Sequence, residues 1–331
     1  MAAIKKTISI MKTATVKNLI IGAGVSGLIA GMEFTKRGED YMIIEKQSEF
    51  PKARLHYLHG DLREYFPFKM RPVDVVTNIY WKDQFYSTPT IEMMNKFSCS
   101  TVNKVVQNSM KFIDGGIHQG WVPENGIENI SENLLNFNKV HPELGVSVTG
   151  IDWKEHIVYM GKDHLYYDTI INTMPLPSLL KSCNLYPTIE FKTEPLHMTE
   201  IELSDDYYED LYQIVYIPEA INGVTRFSVL GKRIVAERGC PAVVEVVKTG
   251  ERNLDFMLDK FFPNAKGQFK GFKEETNWYG RYVPIKESDR SEIIHKLSEF
   301  GIHCLGRYAE WTYKRADHIA IDAVKLIESL H

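Results

Sequence analysis

The sequence predicts an α/β protein: a mostly parallel sheet with helices, interleaved with an α+β domain that contains an antiparallel sheet. Three observations predict it. Near the start, the apolar run Leu19-Ile20-Ile21 breaks into Gly22-Ala23-Gly24-Val25-Ser26-Gly27 and then into apolar residues at helical spacing. From Glu190 to about Lys248 the chain is dense in β-formers. At the end, Ile302-His303-Cys304-Leu305 runs into Gly306-Arg307, and Ile319, Ala320, Ala323, Val324 and Ile327 mark an amphipathic helix.

The first unit spans Val16–Lys46. Its opening strand is fully apolar and ends at Gly22, as a buried parallel strand should. Val25, Leu28, Ile29 and Met32 recur at helical spacing, and Gly38 stands where the helix should stop. Tyr41-Met42-Ile43-Ile44 is a second apolar run ending in Glu45, which completes a βαβ unit of about 30 residues. Met1–Lys17 reads as a loose leader: it has Lys5, Lys6 and Lys12 around a short ISIM stretch, and no export signal.

From Pro51 to about Gly120 the pattern is irregular, aromatic and charged, which predicts an inserted region rather than more sheet, with helices near Ile91–Phe97 and Val102–Phe112. Asp114–Trp121 reads as a glycine-rich turn. A helix is expected over Gly126–Leu135, then a hairpin of Val146–Ile151 with His156–Met160, then a strand from Asp168 to Thr173. Ile201-Glu202-Leu203, Ile214–Ile217, Phe227–Leu230 and Val243–Val247 supply the antiparallel sheet. These readings set a leader at 1–15, a dinucleotide domain at 16–60, 121–189 and 276–331, and a second domain at 61–120 and 190–275.

Composition narrows the function. Apolar residues make up 44% and charged residues 25%, an ordinary soluble balance. A net charge of -4 gives no general attraction to phosphate backbones, so nucleic acid is not an expected partner. No apolar run reaches the ~18 residues that span a bilayer, so no membrane association is expected. Cys99, Cys183, Cys240 and Cys304 lie far apart, without zinc-type spacing. They read as reduced thiols of a cytoplasmic protein, and no metal is expected.

Gly22-Ala23-Gly24-Val25-Ser26-Gly27 is a G-x-G-x-x-G between strand and helix. Gly22 allows the tight turn, Gly24 lets the backbone approach a pyrophosphate, and Gly27 allows close helix–strand packing. Val25 and Ser26 open the helix, whose free N–H groups and dipole favour a phosphate. Glu45 can accept hydrogen bonds from ribose hydroxyls, which argues against a 2′-phosphate and so against NADP. Lys46 joins it as a candidate contact at the strand end. The domain is therefore Rossmann-like.

Ile21–Ala30 resembles the opening of the FAD-dependent amine oxidase, protoporphyrinogen oxidase and UDP-galactopyranose mutase superfamily. Tyr167–Pro175 resembles its "D-x-V-I-x-T-x-P" strand, and Leu305–Trp311 with the helix after it resembles its C-terminal flavin segment. The resemblance thus touches the start, middle and end of the chain, and it implies an FAD domain interrupted by substrate-domain insertions. It implies cofactor contacts at Gly306, Arg307 and Trp311, with Tyr313 beside them. The family's Gly-Gly-rich loop is here Ala53–Gly60, with one glycine, and Arg54 takes the phosphate-contacting role.

The same resemblance places His56 and His59 near the flavin. It also places Tyr282 and Arg281 in a "Y-x-x-P-I" segment, and Arg226 in a hairpin whose arginine faces substrate or flavin. His56, Tyr282 and Arg226 are the catalytic candidates. The function implied is an FAD-dependent oxidoreductase that moves hydride from a small, amine or amino-acid-like substrate to flavin. The alternatives are a mutase-like flavoenzyme without net redox change and a non-catalytic FAD-binding scaffold.

Overall fold

A computed structural model describes residues 13–51, 53, 55–60, 62–96, 116–203, 212–221, 224–231, 233–238, 260 and 269–330. The chain divides into two compact units. One comprises Met1–Ala53, Glu128–Ile189 and Ile285–His331; the other comprises Arg54–Ile127 and Glu190–Pro284.

The first unit, with elements numbered along the whole chain, holds β1 (Thr13–Ile21), α1 (Val25–Arg37), β2 (Tyr41–Glu45) and β6 (Glu143–Leu144). It continues with α3 (Ile130–Phe137), β7 (Gly150–Asp152), β8 (Ile157–Met160), β9 (Asp163–Asn172) and α4 (Leu176–Ser182). It closes with α5 (Glu287–Ser298), β15 (Ile302–Cys304) and α6 (Ala316–Ser329). Its sheet runs β6-β2-β1-β9-β8-β7, with β15 also on β9. β1 pairs in parallel with β2 and β9, and β15 in parallel with β9. The β7–β8–β9 side is antiparallel.

Central placement explains the unbroken apolar run of β1: Leu19, Ile20 and Ile21 are buried, as a strand covered on both faces requires. Part of the stretch expected as a leader is strand β1. Thr13–Val16 pair with His164–Tyr167, because Thr-Ala-Thr-Val is itself a β-forming stretch facing an open strand. A buried polar network ties α1 to α3. The Asn138 amide donates to the Leu28 and Leu134 carbonyls at 3.1 and 2.6 Å, and the Tyr41 hydroxyl donates to Asn138 Oδ1 at 2.9 Å.

The second unit holds β3 (Met70–Trp81), β4 (Gln84–Tyr86), α2 (Ile91–Lys96), β5 (Gly116–Pro123) and β10 (Thr193–Leu203). β11 (Tyr212–Ile221), β12 (Val224–Leu230), β13 (Arg233–Arg238) and β14 (Phe269–Tyr282) complete it. The sheet order is β14-β10-β13-β12-β11-β3-β4, with β5 on β3. All pairings are antiparallel except β11 with β3.

Three expectations change here. The stretch from Pro51 to about Gly120 is expected as an inserted region rather than more sheet, yet it holds the sheet strands β3 and β4 and most of β5. The signal is the alternation Val73, Val75, Thr77, Ile79, all buried, which Pro72 at its start obscures because proline is rare inside strands. The Asp114–Trp121 turn is a strand from Gly116, paired with β3. Residues 276–284 fall in the second unit because β14 pairs with β10 along its length. The expected helix at Val102–Phe112 and strand at Val243–Val247 lie outside the described residues. Among the described residues, no helix is long and apolar enough to cross a membrane.

Candidate cofactor site

The glycines of the first loop have three different reasons. Gly22 has φ +104°, and a Cβ there would fall 2.3 Å from Thr173 Oγ1. A Cβ on Gly27 would fall 1.9 Å from the Gly22 carbonyl oxygen, so the crossing of α1 over its own strand excludes a side chain. Gly24 differs: its φ is -68°, and a Cβ would meet nothing within 4 Å. The fold itself has no need of a glycine at position 24. Gly24 is also the N-cap of α1, with no side-chain cap and no acidic residue in the first turn. The orphan N–H groups and positive dipole end of α1 therefore face a spot that the chain leaves open beside Gly24.

Glu45 is fixed above this loop. Its Oε2 accepts from the Ala23 N–H at 2.8 Å and its Oε1 from the Gln47 N–H at 2.9 Å. Each carboxylate oxygen keeps a further lone pair for a hydroxyl donor. Lys46, the next residue, is exposed.

The middle and the end of the chain meet the same loop. The Thr173 hydroxyl donates to the Ile21 carbonyl at 2.8 Å, and the Leu305 N–H to the Asn172 carbonyl at 2.9 Å. That bond leads into Gly306, with φ +101°, where a Cβ would fall 2.4 Å from Ser26 Oγ. The turn is braced by Glu310, which is buried. Its Oε1 accepts from the Gly306 N–H at 3.0 Å, and its Oε2 from Lys314 at 2.5 Å. Lys314 also bonds Asp322 at 2.6 Å, anchoring the turn to α6. The Arg307 guanidinium lies 5.6 and 5.1 Å from the ring centres of Tyr308 and Tyr313.

Gly22, Gly24, Val25, Ser26, Gly27, Glu45, Gly306 and Arg307 are thus assembled around one helix N-terminus. Trp311 ends the same turn at φ +52° and is fully enclosed by protein. Arg54 lies outside the described residues. Sequence reasoning passed over Thr173 and Glu310; the acid four residues after Gly306 was the available signal for the second.

The catalytic candidates lie in the second unit. His56 is partly buried, and its imidazole is held well below its usual pKa, first by desolvation, then by the charges of Arg226, Arg233 and His59. The charge of Arg226 thus acts on His56 within this unit. Tyr282 is buried on β14, which β10 and β13 separate from the Arg226 strand. Beside His56, the Tyr57 hydroxyl bonds His118 Nε2 at 2.8 Å. The Tyr57 ring fills a notch over Gly120 where a Cβ would come within 2.7 Å of it. Among the described residues no cluster of three or more His, Cys, Asp or Glu is arranged to hold a metal.

No family model matches the chain, and no curated protein matches it in sequence. Solved structures match it in fold. A reduced UDP-galactopyranose mutase superposes with TM-score 0.69 over 96% of this chain and 94% of its own, at 13% identity. A CLA-producing fatty acid isomerase from P. acnes gives 0.61 over 95% and 98%, at 14%. The cyclohexylamine oxidase of Brevibacterium oxydans IH-35A gives 0.60 over 95% and 100%, at 13%. This chain has the two-sheet α/β fold common to these enzymes.

Proposed function

We propose that the first unit binds FAD and that the protein is a flavoenzyme. The observation that carries this reading is Gly24. Gly22 and Gly27 are glycines because neighbouring atoms exclude a Cβ, whereas Gly24 faces open space at an uncapped helix N-terminus. A ligand phosphate that needs the backbone at close range supplies the missing reason.

FAD, when bound, supplies a hydride acceptor at its flavin N5. The chain's own residues have separate tasks. The first-turn N–H groups of α1 would hold the pyrophosphate, and Arg307, next to the Gly306 that packs on Ser26, would add a positive charge. Glu45, already oriented by two backbone donors, takes the ribose hydroxyls. Glu310 keeps the Gly306 turn in place. The reaction we favour is oxidation of a small substrate by hydride transfer. A second reading, rearrangement without net redox change, is supported by the names mutase and isomerase among the fold neighbours.

The test is the absorption spectrum of purified protein. Oxidised-flavin bands, retained through gel filtration, are expected; a colourless protein that takes up no added FAD overturns the reading. Anaerobic incubation with substrate then separates the two chemistries, since only net oxidation leaves the flavin bleached.

A further inference from the structure

The segment after β15 is a single closed helical turn. The Glu310 N–H donates to the Gly306 carbonyl at 2.9 Å, and the Thr312 N–H to the Arg307 carbonyl at 3.2 Å. Trp311 ends the turn in the left-handed region, where a helix usually places glycine. The first N–H of the turn, that of Gly306, has no carbonyl within the turn to meet and is taken by the Glu310 carboxylate at 3.0 Å. The side chain reaches back over its own turn, as the acid of a capping box does.

This bond sets a buried negative charge close to the phosphate cradle. A Cβ on Gly306 would fall 2.4 Å from Ser26 Oγ, and Ser26 belongs to the first turn of α1. The carboxylate that holds the turn is therefore bonded to the residue that packs on the cradle. Its side chain is only 12% exposed, so water screens its charge poorly. Left uncompensated, Glu310 would repel the phosphates that α1 attracts.

Lys314 meets this charge. Its ammonium donates to Glu310 Oε2 at 2.5 Å and to Asp322 Oδ2 at 2.6 Å. Burial works against its charged form, but the hydrogen bonds to Asp322 and Glu310 outweigh burial and hold its pKa above the usual value. The two acids are not equivalent: the Asp322 side chain is 34% exposed and is screened by water. Arg290 also reaches the turn, but it meets the Glu310 backbone carbonyl at 3.5 Å and gives its Nε to Glu287 at 2.9 Å. Among the described residues, Lys314 is thus the cation bonded to the Glu310 carboxylate.

We propose that Lys314 is a positioning residue of the cofactor site: its ammonium cancels the charge of Glu310, so that the carboxylate holds the Gly306 turn without repelling the pyrophosphate. Asp322 fixes the ammonium from α6. This inference rests on the reading of the first unit as an FAD site.

A double-mutant cycle on FAD affinity tests it, with FAD added to the flavin-free, full-length protein and its fluorescence followed. Lys314→Met should weaken FAD about tenfold, and the loss should shrink at high salt. In a Glu310→Gln background the amide oxygen still accepts from the Gly306 N–H, but there is no charge to cancel. Lys314→Met should then cost about twofold or less. A lysine that served only as a tether would be missed equally in both backgrounds. Circular dichroism confirms that each variant is folded; if Lys314→Met is not, Lys314→Gln, an uncharged donor, takes its place. Wild-type affinity in the folded variant overturns the proposal, and so does an equal loss in the two backgrounds. A wild type that takes up no FAD sinks the cofactor reading and this inference with it. A wild type that binds FAD beside an unaltered Lys314→Met sinks this inference alone.

Discussion

Gly306 and Ser26 lie so close that a methyl group on Gly306 would fall 2.4 Å from the Ser26 hydroxyl oxygen. This contact joins the last turn before α6 to the first turn of α1, so the cofactor site is built from both ends of the chain. Gly306→Ala should therefore act on folding and on the cofactor together. The positive φ alone costs about 1–3 kcal/mol in an L-residue, which lowers Tm by several degrees. FAD retention should fall with it. A Gly306→Ala protein with wild-type Tm and wild-type flavin content would show that the turn relaxes freely.

The two inner glycines should separate stability from binding. Gly27→Ala places a Cβ 1.9 Å from a backbone carbonyl, which cannot rotate away, and should cost about 3 kcal/mol or more. Gly24→Val points into open space and should cost about 1 kcal/mol or less while abolishing FAD retention. Thermal melts beside flavin spectra on both variants decide this. Unchanged flavin content in folded Gly24→Val would show that the loop is not the pyrophosphate site.

Two histidines set an acid limit on stability. His303 is held below its usual pKa by burial, and His56 by burial and by its positive neighbours. Both bind a proton more readily unfolded than folded, so their contribution is whole above about pH 6.5 and is lost as pH falls below it, toward the depressed folded values. Urea midpoints should drop from about pH 7 to about pH 5, and the drop should be shallower in His303→Gln. Parallel curves for wild type and variant would remove His303 from the account.

Burial pushes the thiols of Cys183 and Cys304 up to about 12, so both stay protonated near neutral pH. Iodoacetamide should leave them unmodified in the native protein and alkylate them in denaturant, as peptide mass spectrometry would record. Rapid native labelling at either position would mean that its surroundings open readily.

The sequence by itself determined the strand, loop and helix at Leu19–Met32, because three glycines and an apolar period act over a few residues. Glu45 was legible for the same reason: it ends a short apolar run at the expected spacing. β3 was present as an alternation but was masked by Pro72, and the sheet that makes sense of it is completed only by β11. What the tertiary structure alone decided was which remote groups meet. A Cβ at Gly24 finds space and one at Gly306 finds Ser26; Glu310 bonds the Gly306 N–H; Arg233 bonds the Leu55 carbonyl. Contacts of this kind follow from strand register and helix packing, not from local propensity. The dinucleotide loop, by contrast, could be read from the residues alone.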